Sequence, residues 1–398
     1  MNRLEEMKSY ARVLIEIGVE LKKGQPLCVE APLGTEEFVS ILAQEAYRLG
    51  CSDFGVVWKS NALDRVKMEA GQFAPDAPGG SEEAICEAYA SAGAAFIRLD
   101  SLNPVAFAGV APELLAQRAS RTRQIRSLFR KKAQAGHTIA CVPMPAWADM
   151  VFPDLPKEQR MDALWDAVLT CVRCREEDPI AAWRTYQQKT TERKQLLDEK
   201  HYTAFHYQSS QTDLYLKPAD GDIWMGGYNK TPDRISVPNI PTEEVFITPH
   251  KYSVNGHVTA TMPLCYQGQV IEGIRLTFEN GRIVSYDASS NKELLSSIIE
   301  SDEGAHYLGE MALVDCASPI ARQGRIFYTT LYDENASCHL AIGNSLGDPA
   351  KSDDKDSLGY NTSDVHVDFM VGSEELNIYG QLPDGNWESI FENGHWAI

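Results

Sequence analysis

Apolar residues recur along the first two hundred positions with two alternating periods. Leu4, Met7, Ala11, Leu14 and Ile15 share one helical face, which predicts a helix over 3–21. A Lys22-Lys23-Gly24 turn leads to a strand near 26–30, and a second helix over 36–49 is closed by Gly50. The run Phe54-Gly55-Val56-Val57-Trp58 reads as a buried strand. The theme then repeats, with helices over 81–92 and 113–135 and strands over 94–98 and 138–142. Two further helices are predicted over 155–174 and 180–200. Strand and helix alternating in this way predict an α/β domain built on a parallel sheet.

After His201 the period shortens to two. Ile274, Leu276 and Phe278 face one way and Arg275, Thr277 and Glu279 the other. Glu279-Asn280-Gly281-Arg282 predicts a type I′ hairpin turn, and Pro383-Asp384-Gly385 marks another turn. One clear helix is expected near 292–307, and Ser352–Lys355 reads as a polar loop. The second half is therefore expected to be a mainly β (α+β) domain. The boundary falls between 180 and 205, giving domains over 1–195 and 196–398.

Charge sharpens this division. The 398 residues carry 37 Lys+Arg and 56 Asp+Glu, a formal net charge of −19. Residues 1–200 hold 28 acids and 26 bases, whereas 201–398 hold 28 acids and only 11 bases. Nearly all the excess lies in the β half, where carboxylates either repel one another or bind cations. An acidic chain argues against nucleic acid or an anionic membrane as partner. The basic run Arg118, Arg121, Arg123, Arg126, Arg130, Lys131 and Lys132 therefore reads as a solvated helix face or subunit contact. The N-terminus is charged from the start, unlike a signal peptide, and no run of about 18 apolar residues occurs, so a cytoplasmic protein is expected. Nine scattered cysteines do not form a disulfide framework. Cys171 and Cys174 lack two further zinc ligands nearby and read as ordinary helical cysteines. Neither a phosphate-binding glycine loop nor a G-x-S-x-G elbow is present.

Four segments of the acidic half carry candidate chemistry. In Val365–Val371, strand alternation turns the valines and Phe369 one way and His366 with Asp368 the other, an i, i+2 pair suited to one metal ion. Tyr332–His339 offers Glu334 and His339 within one short stretch. Glu310 lies in the apolar run Leu308–Val314, where a buried carboxylate needs a partner. Asn239–Phe246 places Glu243 and Glu244 before an apolar strand. Imidazoles and carboxylates without thiolates suit divalent ions used for hydrolysis.

These strings are N-x-P-T-E-E-V-F, G-E-x-A-L-V, D-E-N-A-S-x-H and N-T-S-x-x-H-V-D-F-M, in this order. Together they resemble the aminopeptidase T family of dinuclear metallo-aminopeptidases, which includes aminopeptidase S. The resemblance covers 239–373 closely and is compatible with the N-terminal pattern over 10–47. It implies six ligands, Glu244, Glu310, Glu334, His339, His366 and Asp368, around two divalent ions. Zinc or cobalt is the first choice and manganese or magnesium the next. Glu310 would bridge the ions, and Glu243 would shuttle a proton or support Glu244. A hydroxide activated by both ions would attack the first peptide carbonyl and release the N-terminal residue of a peptide with a free amine. A homodimer is also implied. One position departs from the family: a Tyr commonly stands seven residues after the ligand histidine, and here Leu346 does. That leaves two other readings, a metal-dependent hydrolase of another amide or small substrate, and a catalytically silent metal- or peptide-binding protein.

Overall fold

The computed structural model describes residues 2–398 except 102, 104, 105, 108, 133–135, 232–233, 267–268 and 348–354. The chain divides into two compact units, 1–186 with 228–241, and 187–227 with 242–398. It is an α/β region on a parallel sheet followed by a mainly antiparallel region, the fold class expected from the sequence.

In the first unit, strands Phe54–Lys59, Leu27–Pro32, Ala95–Asp100, His137–Cys141 and Asn239–Ile240 lie side by side in that order, all parallel. Leu27, Val29, Ala31, Ile97, Leu99 and Ala140 are buried on one face and Cys28, Val57 and Phe96 on the other, as a parallel sheet covered on both faces requires. Tyr10 packs on Phe38 at a centroid distance of 5.2 Å, and its hydroxyl donates to Cys141 O at 3.0 Å. The first helix is shorter than expected. Its α-helical part is Arg3–Val13, followed by a π turn over Leu14–Gly18, with Val19 N donating to Leu14 O. Close packing sets its end, because a Cβ on Gly18 would meet Thr138 Cγ2 at 2.8 Å.

The helix expected to run to residue 174 spans Lys157–Cys171 and gives way at Arg173, whose φ is +58°. Cys171 and Cys174 are both buried, and neither forms a disulfide among the described residues. The helix of the basic run spans Pro112–Lys132, and residues 133–135 lie outside the described residues. Three of its arginines pair with acids of the same unit, Arg118 with Asp64 at 2.6 Å, Arg121 with Glu83 at 2.7 Å, and Arg126 with Glu30. Much of this charge thus holds its own fold together.

In the second unit an eight-stranded antiparallel sheet and a four-stranded one enclose a single apolar core. Phe205, Tyr207, Leu214, Leu216, Leu276 and Phe278 fill it from the larger sheet. The Asn280-Gly281 turn forms as expected, with φ of +50° and +85° and Glu279 opposite Arg282. The helix expected over 292–307 is broken. It spans Lys292–Ile299, and a 3₁₀ turn over Gly304–His306 follows. Asp302 causes the break, since its Oδ1 accepts from Ala305 N at 2.9 Å and starts the new turn. Of the polar loop at Ser352–Lys355, residues 352–354 lie outside the described residues. No described helix is long and apolar enough to cross a membrane.

Asp64 is almost fully buried and accepts two bonds from Arg118, at 2.8 and 2.6 Å. Asp64→Ala strands that guanidinium and should lower unfolding free energy by about 3 kcal/mol, read by urea titration. Adding Arg118→Ala in the same chain should recover part of that loss.

Candidate metal centre

The four-stranded sheet places most of the predicted residues. Its strands are Val245–Ile247, Leu308–Leu313, His339–Gly343 and His366–Met370, antiparallel in that order. Glu310 lies opposite Ala341, and Ala341 opposite Asp368, so the three form one row across the sheet. Directly opposed residues share a face, and His339 and His366 lie two residues from members of that row. Glu310, His339, His366 and Asp368 therefore project from one side. Met311, Leu313, Leu340, Ile342, Val367 and Phe369 project from the other, into the apolar core.

Keeping this order takes one irregularity. Leu308 pairs with Ile342, yet Glu310 pairs with Ala341, so Gly309 is an extra residue in its strand. The bulge turns Leu308 into the core while Glu310 faces the polar side. Close approach makes the extra residue glycine, because a Cβ there would sit 2.3 Å from Asn344 O. Gly343, opposite His366, has a φ of +102°.

Two triads of potential ligand atoms result, Glu244–Glu310–His339 and Glu310–His366–Asp368, each with its atoms within 4.8 Å of one another. Glu310 belongs to both. Its Oε1 lies 3.5 Å from His339 Nε2 and its Oε2 3.4 Å from His366 Nε2. Glu244 Oε2 is 3.1 Å from His339 Nε2, and Asp368 Oδ1 is 3.3 Å from His366 Nε2. Backbone carbonyls take the other ring nitrogens. His339 Nδ1 is 3.2 Å from Ser337 O, and His366 Nδ1 is 2.7 Å from Asn344 O. With Nδ1–H donating to a carbonyl, each Nε2 faces the carboxylates and would become the lone-pair nitrogen once a cation displaces its proton, the usual tautomer of a ligating histidine.

Glu334 is in neither triad, but it is buried and electrostatically coupled to Asp368, Glu244 and Glu310. Glu243 is also buried, and its N–H donates to Asn335 Oδ1 at 2.6 Å. Asn335 is the residue that sequence reading passed over. It is fully buried, and its Nδ2 donates to Leu331 O at 3.0 Å and Glu334 Oε1 at 3.3 Å. One amide thus ties the Glu243–Glu244 segment to the Glu334 segment. Its place between Glu334 and the Ala-Ser-x-His string was the available signal. Leu346 is half exposed. The Tyr360 hydroxyl donates to Asp222 Oδ1 at 2.9 Å, and the Tyr332 ring packs on Phe327.

The profile of the thermophilic metalloprotease (M29) family matches residues 3–396. The chain belongs to that family. This M29 chain is 38% identical to aminopeptidase 2 of Geobacillus stearothermophilus, over 100% of its own length and 99% of the relative's. It is 37% identical to aminopeptidase T of Thermus aquaticus, over 99% of each chain. Its fold matches wild-type AmpT from Thermus thermophilus with a TM-score of 0.88 at 32% identity, covering 99% of both chains.

Electrostatics give the candidate centre its character. Burial raises the Glu334 carboxyl well above its ordinary range, and the charges of Asp368 and Glu244 add to it. Burial likewise raises Glu244 against the opposing pull of His339. Burial also opposes ionisation of Glu310 and Asp368, but their histidine neighbours outweigh it and both are lowered. It opposes charge on His366 too, where Asp368 and Glu310 outweigh it and push the imidazole up to about 11. His339 is raised well above its ordinary value in the same way, chiefly by Glu244 and Glu310. Glu334, Glu244 and the two imidazoles thus offset the crowded negative charge by holding protons, the condition a cation relieves. Glu310 Oε2 is buried and, apart from the 3.4 Å approach of His366 Nε2, has no hydrogen-bond partner among the described residues, so an acceptor faces the site for a cation.

Gly309→Ala tests the bulge. The added methyl should cost about 1–3 kcal/mol of unfolding free energy by overpacking and should lower metal content at fixed supply, read by urea titration and elemental analysis.

Proposed function

We propose that the protein is a metal-dependent aminopeptidase, a hydrolase that removes N-terminal residues from peptides at the centre built around Glu310. Whole-length similarity to named aminopeptidases supports the activity. The observation that carries the site is the sharing of Glu310 between two triads. One carboxylate with an oxygen toward each triad suits a bridge between two ions.

The donor set fits divalent cations. It offers carboxylate oxygens and imidazole nitrogens and no thiolate, which suits zinc or cobalt, and manganese or magnesium less well. Glu244, Glu310 and His339 would hold one ion, and Glu310, His366 and Asp368 the other, with Glu334 as the sixth ligand. Bound there, two cations supply Lewis acidity at a peptide carbonyl and make water acidic enough to ionise near neutral pH. The chain's own residues then orient and shield. The Ser337 and Asn344 carbonyls fix the imidazole rings, Asn335 holds Glu334 in place, and Glu243, tied by its N–H to Asn335, would move a proton or support Glu244. A homodimer belongs to the same reading and rests on the sequence resemblance, and a cytoplasmic location is kept as the expectation drawn from the sequence.

Elemental analysis after gel filtration should find about two divalent ions per chain. Leucyl-p-nitroanilide should be hydrolysed, with loss on chelation and recovery on adding metal. Glu310→Gln should reduce kcat/KM by about 10³-fold, the worth of several kcal/mol of charge stabilisation. A single ion per chain would remove the dinuclear part of the proposal, and metal-loaded protein that spares every free-amine peptide would remove the activity.

A second outcome follows from the raised imidazoles. Without metal the surrounding carboxylates favour the protonated imidazoles of His366 and His339, and a bound cation must displace those protons. Metal binding should therefore release protons, from the imidazoles and from the raised Glu334 carboxyl, and should tighten steadily as pH rises from 6 to about 8, below the value near which His366 loses its proton. Calorimetry in buffers of different ionisation enthalpy measures both.

A further inference from the structure

The carboxyl ends of the parallel strands in the first unit surround a cavity of about 270 Å³. Pro32, Lys59 and Asp100 close three of these strands at its wall, and Met144 follows the fourth. Strand Leu27–Pro32 lies between Phe54–Lys59 and Ala95–Asp100, so the chain leaves it toward one side and returns on the other. That reversal is the place where open α/β sheets hold small ligands.

The wall is built for an acceptor. Three bases and two acids line it, and the acids are already engaged, Glu30 with Arg126 and Asp100 with Arg98. Lys59 and Arg118 pair with Glu82 and Asp64 outside the lining. Two buried lining atoms have no hydrogen-bond partner among the described residues, Arg126 Nε and Ser101 Oγ. A guanidinium N–H can only donate, so the partner it lacks is an acceptor. Ser60 and Asn61, at the N-terminus of helix Asn61–Glu69, also line the cavity, and a helix N-terminus favours negative charge.

We propose that this cavity binds a small oxyanion-bearing molecule, with Arg126 Nε and Ser101 Oγ donating to the oxyanion. Its volume lies below the ~300–1,000 Å³ of drug-sized pockets and suits a single amino-acid derivative or a simple phosphate. Carboxylate and phosphate share the required chemistry. The site uses no candidate metal ligand and does not depend on the peptidase reading.

Calorimetry on the metal-loaded full chain tests it, with N-acetyl-L-alanine as carboxylate probe, N-acetyl-L-alaninamide as neutral control, and inorganic phosphate as the second anion. Ser101→Ala deletes the hydroxyl, and Arg126→Lys keeps a charge for Glu30 while deleting the Nε donor. At least one anion should bind wild type saturably, the amide should not, and each variant should weaken that binding about tenfold. Hydrolysis of leucyl-p-nitroanilide should be unchanged in both, which also shows that they fold. Binding by the acetylated amino acid alone assigns a carboxylate, and binding by phosphate alone assigns a phosphoryl group. No binding by either anion at millimolar concentration, or equal affinity in wild type and both variants, overturns the proposal.

Discussion

Like charges buried together are the constraint on which the second unit depends. Glu244, Glu310, Glu334 and Asp368 all lie in low-dielectric surroundings within mutual electrostatic reach. Removing even one carboxylate from water is expensive, and grouping four multiplies the cost. Two histidines alone do not balance four acids. What tolerates such a group is a scaffold stable enough elsewhere, and the reverse face of the same sheet supplies it. Met311, Leu313, Leu340, Ile342, Val367 and Phe369 are all essentially inaccessible to water. The same few residues of each strand are thus apolar anchor on one side and polar centre on the other.

The small residues of this sheet follow from that arrangement. Ala341 separates Glu310 from Asp368 in their row, and a larger side chain would fill the space the carboxylates need. Gly343 stands opposite His366 with a left-handed backbone. Substitutions at such positions act on the charged groups without touching them, through the spacing of the strands that carry them.

Much of this was legible because local pattern and tertiary need coincide. Alternation in Val365–Val371 sets His366 and Asp368 on one face, and burial of Val367 and Phe369 agrees. Asn280-Gly281 forms the turn its two positive φ values require. Where tertiary contacts decide, local pattern misleads. Nothing in Leu308-Gly309-Glu310 announces a bulge, since strict alternation would put Leu308 and Glu310 on one face. The helix after Lys292 stops because a side chain, Asp302, captures the next turn. Asn335 resembles any polar loop residue until the two segments it joins are seen together. The carboxylates and imidazoles of the candidate site stood in the sequence as separate strings, and family resemblance rather than spacing grouped them.

The strand Asn239–Ile240 is only two residues long, and it completes the parallel sheet beside His137–Cys141 from a point a hundred residues later in the chain. During synthesis, therefore, the first unit emerges from the ribosome unfinished. One edge of its sheet stays open until residue 241 is released, and by then 187–227, belonging to the other unit, have already appeared. An open parallel edge is a template for wrong pairing. A fragment ending near 195 would carry that exposed edge permanently, so the two units share one folding schedule although each has its own core.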